Sequence, residues 1–167
     1  MPVTTTRTLP AAILREVQKA VIGKDLVLTK VLLAFLAGGH VLMEDMPGVG
    51  KTTLAMAFSK ALGLNCRRVQ FTPDVLPSDL TGSVYEKNTG TFVFQPGALF
   101  CHLLLADEIT RTSSKTQAAL LEAMEESNVT VEGKTYALPR PHLVIATQNP
   151  LGCVGTQSLP ESQLDRF

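Results

Sequence analysis

The 167-residue chain has little of what would tie it to a disulfide framework, a membrane or a nucleic acid. Its three cysteines, Cys66, Cys101 and Cys153, are far apart and odd in number. They form neither a metal-spaced pair nor a disulfide set, which suits a reducing, cytoplasmic setting. His40, His102 and His142 are likewise isolated along the chain and read as structural. No charge sign is in excess, because 15 basic residues balance 15 acidic ones. The one basic run that stands out is Arg67-Arg68, so no long electrostatic track for nucleic acid is advertised. The opening MPVTTTRTLP carries no apolar signal core. The longest uncharged stretch near the front, 31–43, is too short to span a bilayer and contains Gly38, Gly39 and His40. Internal repeats and low-complexity tracts are missing as well.

What is present is a globular composition, 45% hydrophobic and 18% charged, at a length that suits one domain over residues 1–167. Ile13, Val17, Ala20 and Val21 have helical spacing, and that helix should stop near Gly23. Asp25 is expected to cap a second helix running to about Ala37. A strand over 41–44, a helix from Thr52 to Ala61 and a strand over 68–71 follow. Pro73, Pro77 and Pro96 are read as helix breakers in 72–98. Ser83–Glu86 and Thr91–Phe94 alternate in polarity around Asn88-Thr89-Gly90, a hairpin signal. Leu103–Ala106 is a buried strand. A helix starting at Ser113 or Ser114 carries Leu120, Leu121 and Met124 on one side. A second hairpin flanks Gly133, and Leu143–Ala146 is another core strand. Strands alternating with helices indicate an α/β fold with a parallel, helix-covered sheet and two inserted hairpins.

The chemistry concentrates in DMPGVGKT, residues 45–52. A strand, a glycine loop ending in Lys-Thr and then a helix is the layout of a triphosphate-binding loop. Gly48 and Gly50 let the backbone aim N–H groups at phosphate oxygens, and the helix N-terminus adds donors. Val49 and Thr53 belong to the same loop and first turn. Lys51 reaches the β- and γ-phosphates, and the Thr52 hydroxyl holds Mg2+. The pattern asks for glycine at position 45, where this chain has Asp45. An ordinary glycine turn is the plainer alternative.

Hydrolysis needs more than a loop, and LLLADE at 103–108 supplies it. Two acids at the end of a strand buried on both faces need a reason. Asp107 at the carboxyl end of a parallel strand faces the phosphate crevice and can hold Mg2+ through water. Glu108 can orient or deprotonate the attacking water. The plainer alternative is a pair of acids opening a surface loop. Asn149 could bond the γ-phosphate or the lytic water, or be a turn residue before Pro150. Arg166 could stabilise charge on the transferring phosphoryl group, or pair with Asp165 or Glu161 at the surface.

Together these segments resemble the MoxR branch of the AAA+ ATPases, from about Ala20 to Phe167. The matching stretches are HVLMEDMPGVGKT, VQFTPDVLPSDLTG, FQPGALF, LLADEI, KTQAALLEAMEE, ATQNP and LPESQLDRF, in that order. An acidic residue in place of the first loop glycine is familiar in that family. The resemblance implies that Gly48, Gly50, Lys51 and Thr52 form Walker A, with Asp107 and Glu108 as Walker B. It makes Asn149 sensor 1 and Arg166 the arginine finger acting on a neighbouring subunit's nucleotide. Val21-Ile22-Gly23 resembles the backbone that contacts adenine. The implied cofactors are ATP and Mg2+, and the implied assembly is a homo-oligomeric ring, hexameric in the family. The implied work is chaperone-like remodelling of client enzyme complexes, often with a von Willebrand factor A-type partner.

The chain departs from the family at Thr110, at Thr112-Ser113-Ser114, at 152–154 and at 157–158, beside the crevice and the subunit interface. Relatives continue past Phe167 into another sheet strand and a helical lid. That absent strand would leave 41–43 on an open sheet edge, and weak turnover is expected of this chain alone. Three other functions compete: a small phosphotransferase, a nucleotide-binding interaction module without turnover, and a DNA motor. No arginine-rich lid supports the first, and the neutral charge weighs against the last.

Overall fold

The computed structural model describes residues 8–44, 50–86, 91–149 and 159–167. Its central sheet is built from β1 (Val41–Glu44), β2 (Cys66–Gln70), β5 (Leu103–Asp107) and β8 (Leu143–Gln148). The order is β1-β8-β5-β2 and every pairing is parallel. Side chains alternate across a strand, so β5 feeds both faces of the sheet. Leu103 and Leu105 pack with α1 (Thr8–Gln18), α2 (Asp25–Leu36) and α3 (Lys51–Leu62). Leu104 and Ala106 pack on the other side with Leu120, Leu121 and Met124 of α5 (Ser114–Glu126). This burial on both faces explains the unbroken apolar runs of β5 and β8.

Both hairpins form: β3 (Val84–Glu86) with β4 (Thr91–Val93), and β6 (Asn128–Val131) with β7 (Lys134–Ala137). They meet through stacked rings of Phe94 and Tyr136, 3.7 Å apart and nearly parallel. The residues at 87–90 that should form the first turn lie outside the described set.

Two sequence expectations are corrected. Asp25 is not the cap of α2; Lys24 holds that position without a side-chain bond. Asp25 stands in the first turn and accepts instead from Gln18 Nε2 at 2.8 Å. Pro77 does not prevent a helix but starts one, α4 (Pro77–Thr81). A proline costs nothing at the first helical position, where its missing N–H would have no partner. Asp79 then accepts the Leu76 N–H at 2.9 Å, closing the turn.

Glycines fix the next corner. Gly82 has φ +87°, and an added Cβ would lie 2.1 Å from the Gln95 carbonyl oxygen. A Cβ on Gly97 would lie 2.3 Å from the Leu80 carbonyl oxygen. The chain after α4 and the chain before Leu99 therefore touch backbone to backbone. That contact places Phe71, Leu80 and Leu99 together in the core beneath β5.

Candidate functional site

The carboxyl ends of β1, β5 and β8 converge beside the N-terminus of α3. In an open parallel sheet that edge is where ligands bind. Gly50 caps α3 with a left-handed backbone, φ +81° and ψ 25°, and Lys51 is the first helical residue. Thr52 and Thr53 follow on the exposed first turn. Gly48 and Val49 lie outside the described residues, as does the rest of 45–49. Gly23 has φ +75°, and the neighbouring Ile22 is 87% exposed, an unusual placement for so apolar a side chain. Next to them, Lys24 begins a groove of about 750 Å³ that runs along the outer edge of β1 to Glu44 and Phe167.

Asp107 ends β5 with both carboxylate oxygens engaged. Oδ1 accepts the Thr147 hydroxyl at 2.7 Å, and Oδ2 accepts Arg68 Nη2 at 2.6 Å. Partial burial pushes its pKa up, but the bonds from Arg68 and Thr147 and the charges of Arg68 and Lys51 outweigh it. The net shift is below the ordinary carboxylate value, so the group stays ionised. The charge of Lys51, the first residue of α3, makes the smallest of these contributions.

Glu108 turns the chain with a left-handed backbone, φ 57°. Its N–H donates to Thr147 Oγ1 at 2.9 Å, and its carboxylate pairs with Arg111 at 2.9 Å. The buried Thr147 hydroxyl therefore serves both acids, receiving one hydrogen and giving one. Arg111 ends a 3-10 turn, Ile109–Arg111, which buried Gln117 of α5 holds by a bond to the Ile109 carbonyl at 3.0 Å. Two of the positions that depart from the family, Thr112 and Ser113, have structural duties here. Ser113 caps α5, accepting the Thr116 N–H at 3.3 Å, and Thr112 donates to the Val75 carbonyl at 3.3 Å.

Asn149 directly follows β8 and so stands on the same sheet edge as Asp107. Gln148, one residue earlier, donates to Glu44 at the end of β1. Arg166 is placed differently. It pairs with Glu125 of α5 at 2.9 Å, rather than with Asp165 or Glu161 as its sequence neighbours suggested. Thr147, Arg68 and Arg111 were missed as site residues in the sequence. Thr147 carried a faint signal, as a polar residue ending a buried strand just before Asn149. Arg68 stood out only as half of a basic pair, because the partner that gives it a role lies 39 residues away.

The comparisons with known proteins agree with this geometry. Residues 40–167 match the sequence profile of the ATPase family associated with various cellular activities (AAA). The chain is 53% identical over 153 residues to the uncharacterized protein YeaC of Bacillus subtilis (strain 168), covering 91% of this chain and 48% of that protein. It is 43% identical to Chaperone MoxR1 of Mycobacterium tuberculosis, covering 96% of this chain and 42% of the relative. A crystal structure from Cytophaga hutchinsonii, described as a candidate ATPase, superposes with TM-score 0.82 at 40% identity, covering 96% of this chain and 49% of that one. The chain belongs to the AAA ATPase family, and within it to the MoxR branch. It spans about half the length of the curated relatives it matches. Among the described residues no helix is long and apolar enough to cross a membrane.

Proposed function

We propose that this chain binds ATP with Mg2+ and belongs to a machine that couples hydrolysis to remodelling of partner proteins. The observation that carries the reading is Asp107, ionised and oriented by Thr147 at the sheet end. Lys51 and the N–H groups of the first α3 turn meet the phosphates. Thr52 and Asp107 offer the hard oxygen donors that Mg2+ prefers, so the residues fit the ion. When bound, the metal would neutralise negative charge developing on the phosphate.

Glu108 takes the role of the acid that orients or deprotonates water, with its backbone fixed by Thr147. Asn149 holds that water or the γ-phosphate. Gly48, Val49, Gly50 and Thr53 complete the phosphate cradle, and Ile22 and Gly23 offer backbone to the adenine. Arg166 serves the nucleotide of a neighbouring subunit in a ring, which requires it to leave Glu125. The name of one relative, Chaperone MoxR1, supports a chaperone-like role; maturation of client complexes, with or without a von Willebrand factor A-type partner, is the form we propose for it.

A second reading, a nucleotide-binding interaction module without turnover, draws support from the two ion pairs that occupy Glu108 and Arg166. One experiment separates the two. Glu108→Gln should keep ATP binding and stop phosphate release, whereas turnover of that variant at the wild-type rate would remove Glu108 from the mechanism. Wild-type protein that binds ATP and releases no phosphate, alone or mixed with a full-length relative, would favour the module.

A further inference from the structure

We propose that Arg68 is a built-in competitor of the divalent cation at Asp107 and thereby sets how much magnesium the nucleotide site requires. The proposal rests on the reading of Asp107 as a metal-holding acid. Arg68 projects from β2, the strand paired with β5, and its register partner is Leu105, two residues before the acid. Its Nη2 lies 2.6 Å from Asp107 Oδ2, while Oδ1 is taken by the Thr147 hydroxyl. Holding a cation through water, Asp107 would have to accept from that water at Oδ2, the oxygen Arg68 already occupies, and would bring the ion within about 7 Å of the guanidinium. Two positive groups cannot share one carboxylate oxygen at that range without cost.

The side chain also has somewhere to go. The same Nη2 lies 3.0 Å from Gln70 Oε1, a neutral acceptor two residues along the same strand. Half of the Arg68 side chain is exposed, against 17% for Asp107, so the arginine can turn away while the acid stays fixed. Releasing Asp107 thus takes a rotation of one half-exposed side chain and no movement of the sheet. Arg68 is a positioning residue in this scheme. It keeps Asp107 ionised and aimed, and it yields only when a stronger cation arrives.

The test is a fluorescent, non-hydrolysable ATP analogue titrated with MgCl2 on the full chain, reading binding rather than turnover. Arg68→Gln should lower the half-saturating magnesium concentration about fivefold, the scale of a half-exposed ion pair. Arg68→Lys keeps a charge without the planar fork and should fall between the two. Circular dichroism confirms that each variant is folded. An unchanged or increased magnesium requirement in Arg68→Gln would overturn the proposal. Asp107→Asn is the control: loss of the magnesium response in that variant upholds the metal reading independently of Arg68. A wild-type response in Asp107→Asn would overturn the metal reading itself, and with it any competition at that carboxylate.

Discussion

The Thr147 hydroxyl donates to Asp107 Oδ1 at 2.7 Å from a fully buried position at the end of β8. The same oxygen accepts the Glu108 N–H at 2.9 Å. One side chain thus joins two adjacent strands and fixes both acids. Thr147→Val keeps the shape and removes the hydroxyl, leaving the part-buried Glu108 N–H without its acceptor. Urea denaturation should show a loss of about 1–3 kcal/mol. Thr147→Ser should retain most of the stability, and equal losses in the two variants would mean that the methyl group, not the hydroxyl, matters.

The backbone contact at Gly82 and Gly97 leads to a second prediction. Gly82→Ala would set a Cβ 2.1 Å from the Gln95 carbonyl oxygen at a residue with φ +87°. Neither chain can yield without moving Leu80 or Leu99 out of the core. Thermal unfolding should register a loss of about 3 kcal/mol or more. Gly133→Ala meets nothing within 4 Å and has only the strained φ of +73° to bear, so it should cost distinctly less.

Stability should also depend on two histidines far along the sheet from the acids. Burial is the main cause that holds both His40 and His142 below their ordinary value of 6.5, against the bonds to backbone carbonyls that favour protonation. His40 Nδ1 accepts the Val144 N–H at 3.1 Å, so a proton there would break the bond. The unfolded chain therefore binds more protons than the folded one just below pH 6.5. Stability is complete above that pH and declines as pH falls toward the folded values, by at most about 1.4 kcal/mol per pH unit per histidine. The depressed Asp107 adds its own loss only in stronger acid, below 3.8. Urea unfolding at pH 7.5 and pH 5 checks this; equal midpoints would contradict it.

The two hairpins should behave as a coupled pair. The Phe94–Tyr136 stack joins the chain after β4 to β7, and Phe94 also meets Phe100 edge-on with centroids 5.3 Å apart. Tyr136→Ala should cost about 1 kcal/mol and speed amide exchange in the β3–β4 hairpin as well as in its own. Faster exchange confined to β6 and β7 would show that the stack carries no coupling.

The sequence was legible where a local pattern stood for a global fact. The runs Leu103–Ala106 and Leu143–Ala146 read as strands because burial on both faces leaves no room for polar residues. Gly63 ends α3 in a left-handed conformation, φ 66°, as a helix-stop glycine should. Pro77 misled because its position within the helix, not its presence, decides its effect. Asp25 misled because a capping side chain must stand one residue earlier. The partners of the acids were the least legible. Arg68, Arg111 and Thr147 acquire their roles from strand register and a tight turn, and Thr147 stands 40 residues along the chain from Asp107. Arg166 shows the same limit, since its partner Glu125 lies on a different helix.

The central claim is that the α3 N-terminus and the end of β5 form a polyphosphate and magnesium site. Equilibrium binding of Mg-ATP to the wild type and to Lys51→Ala measures it most directly. The account predicts saturable binding by the wild type and a loss of at least about thirtyfold in affinity for the variant, because the phosphate charge is no longer met. Equal affinity in the two folded proteins would contradict it.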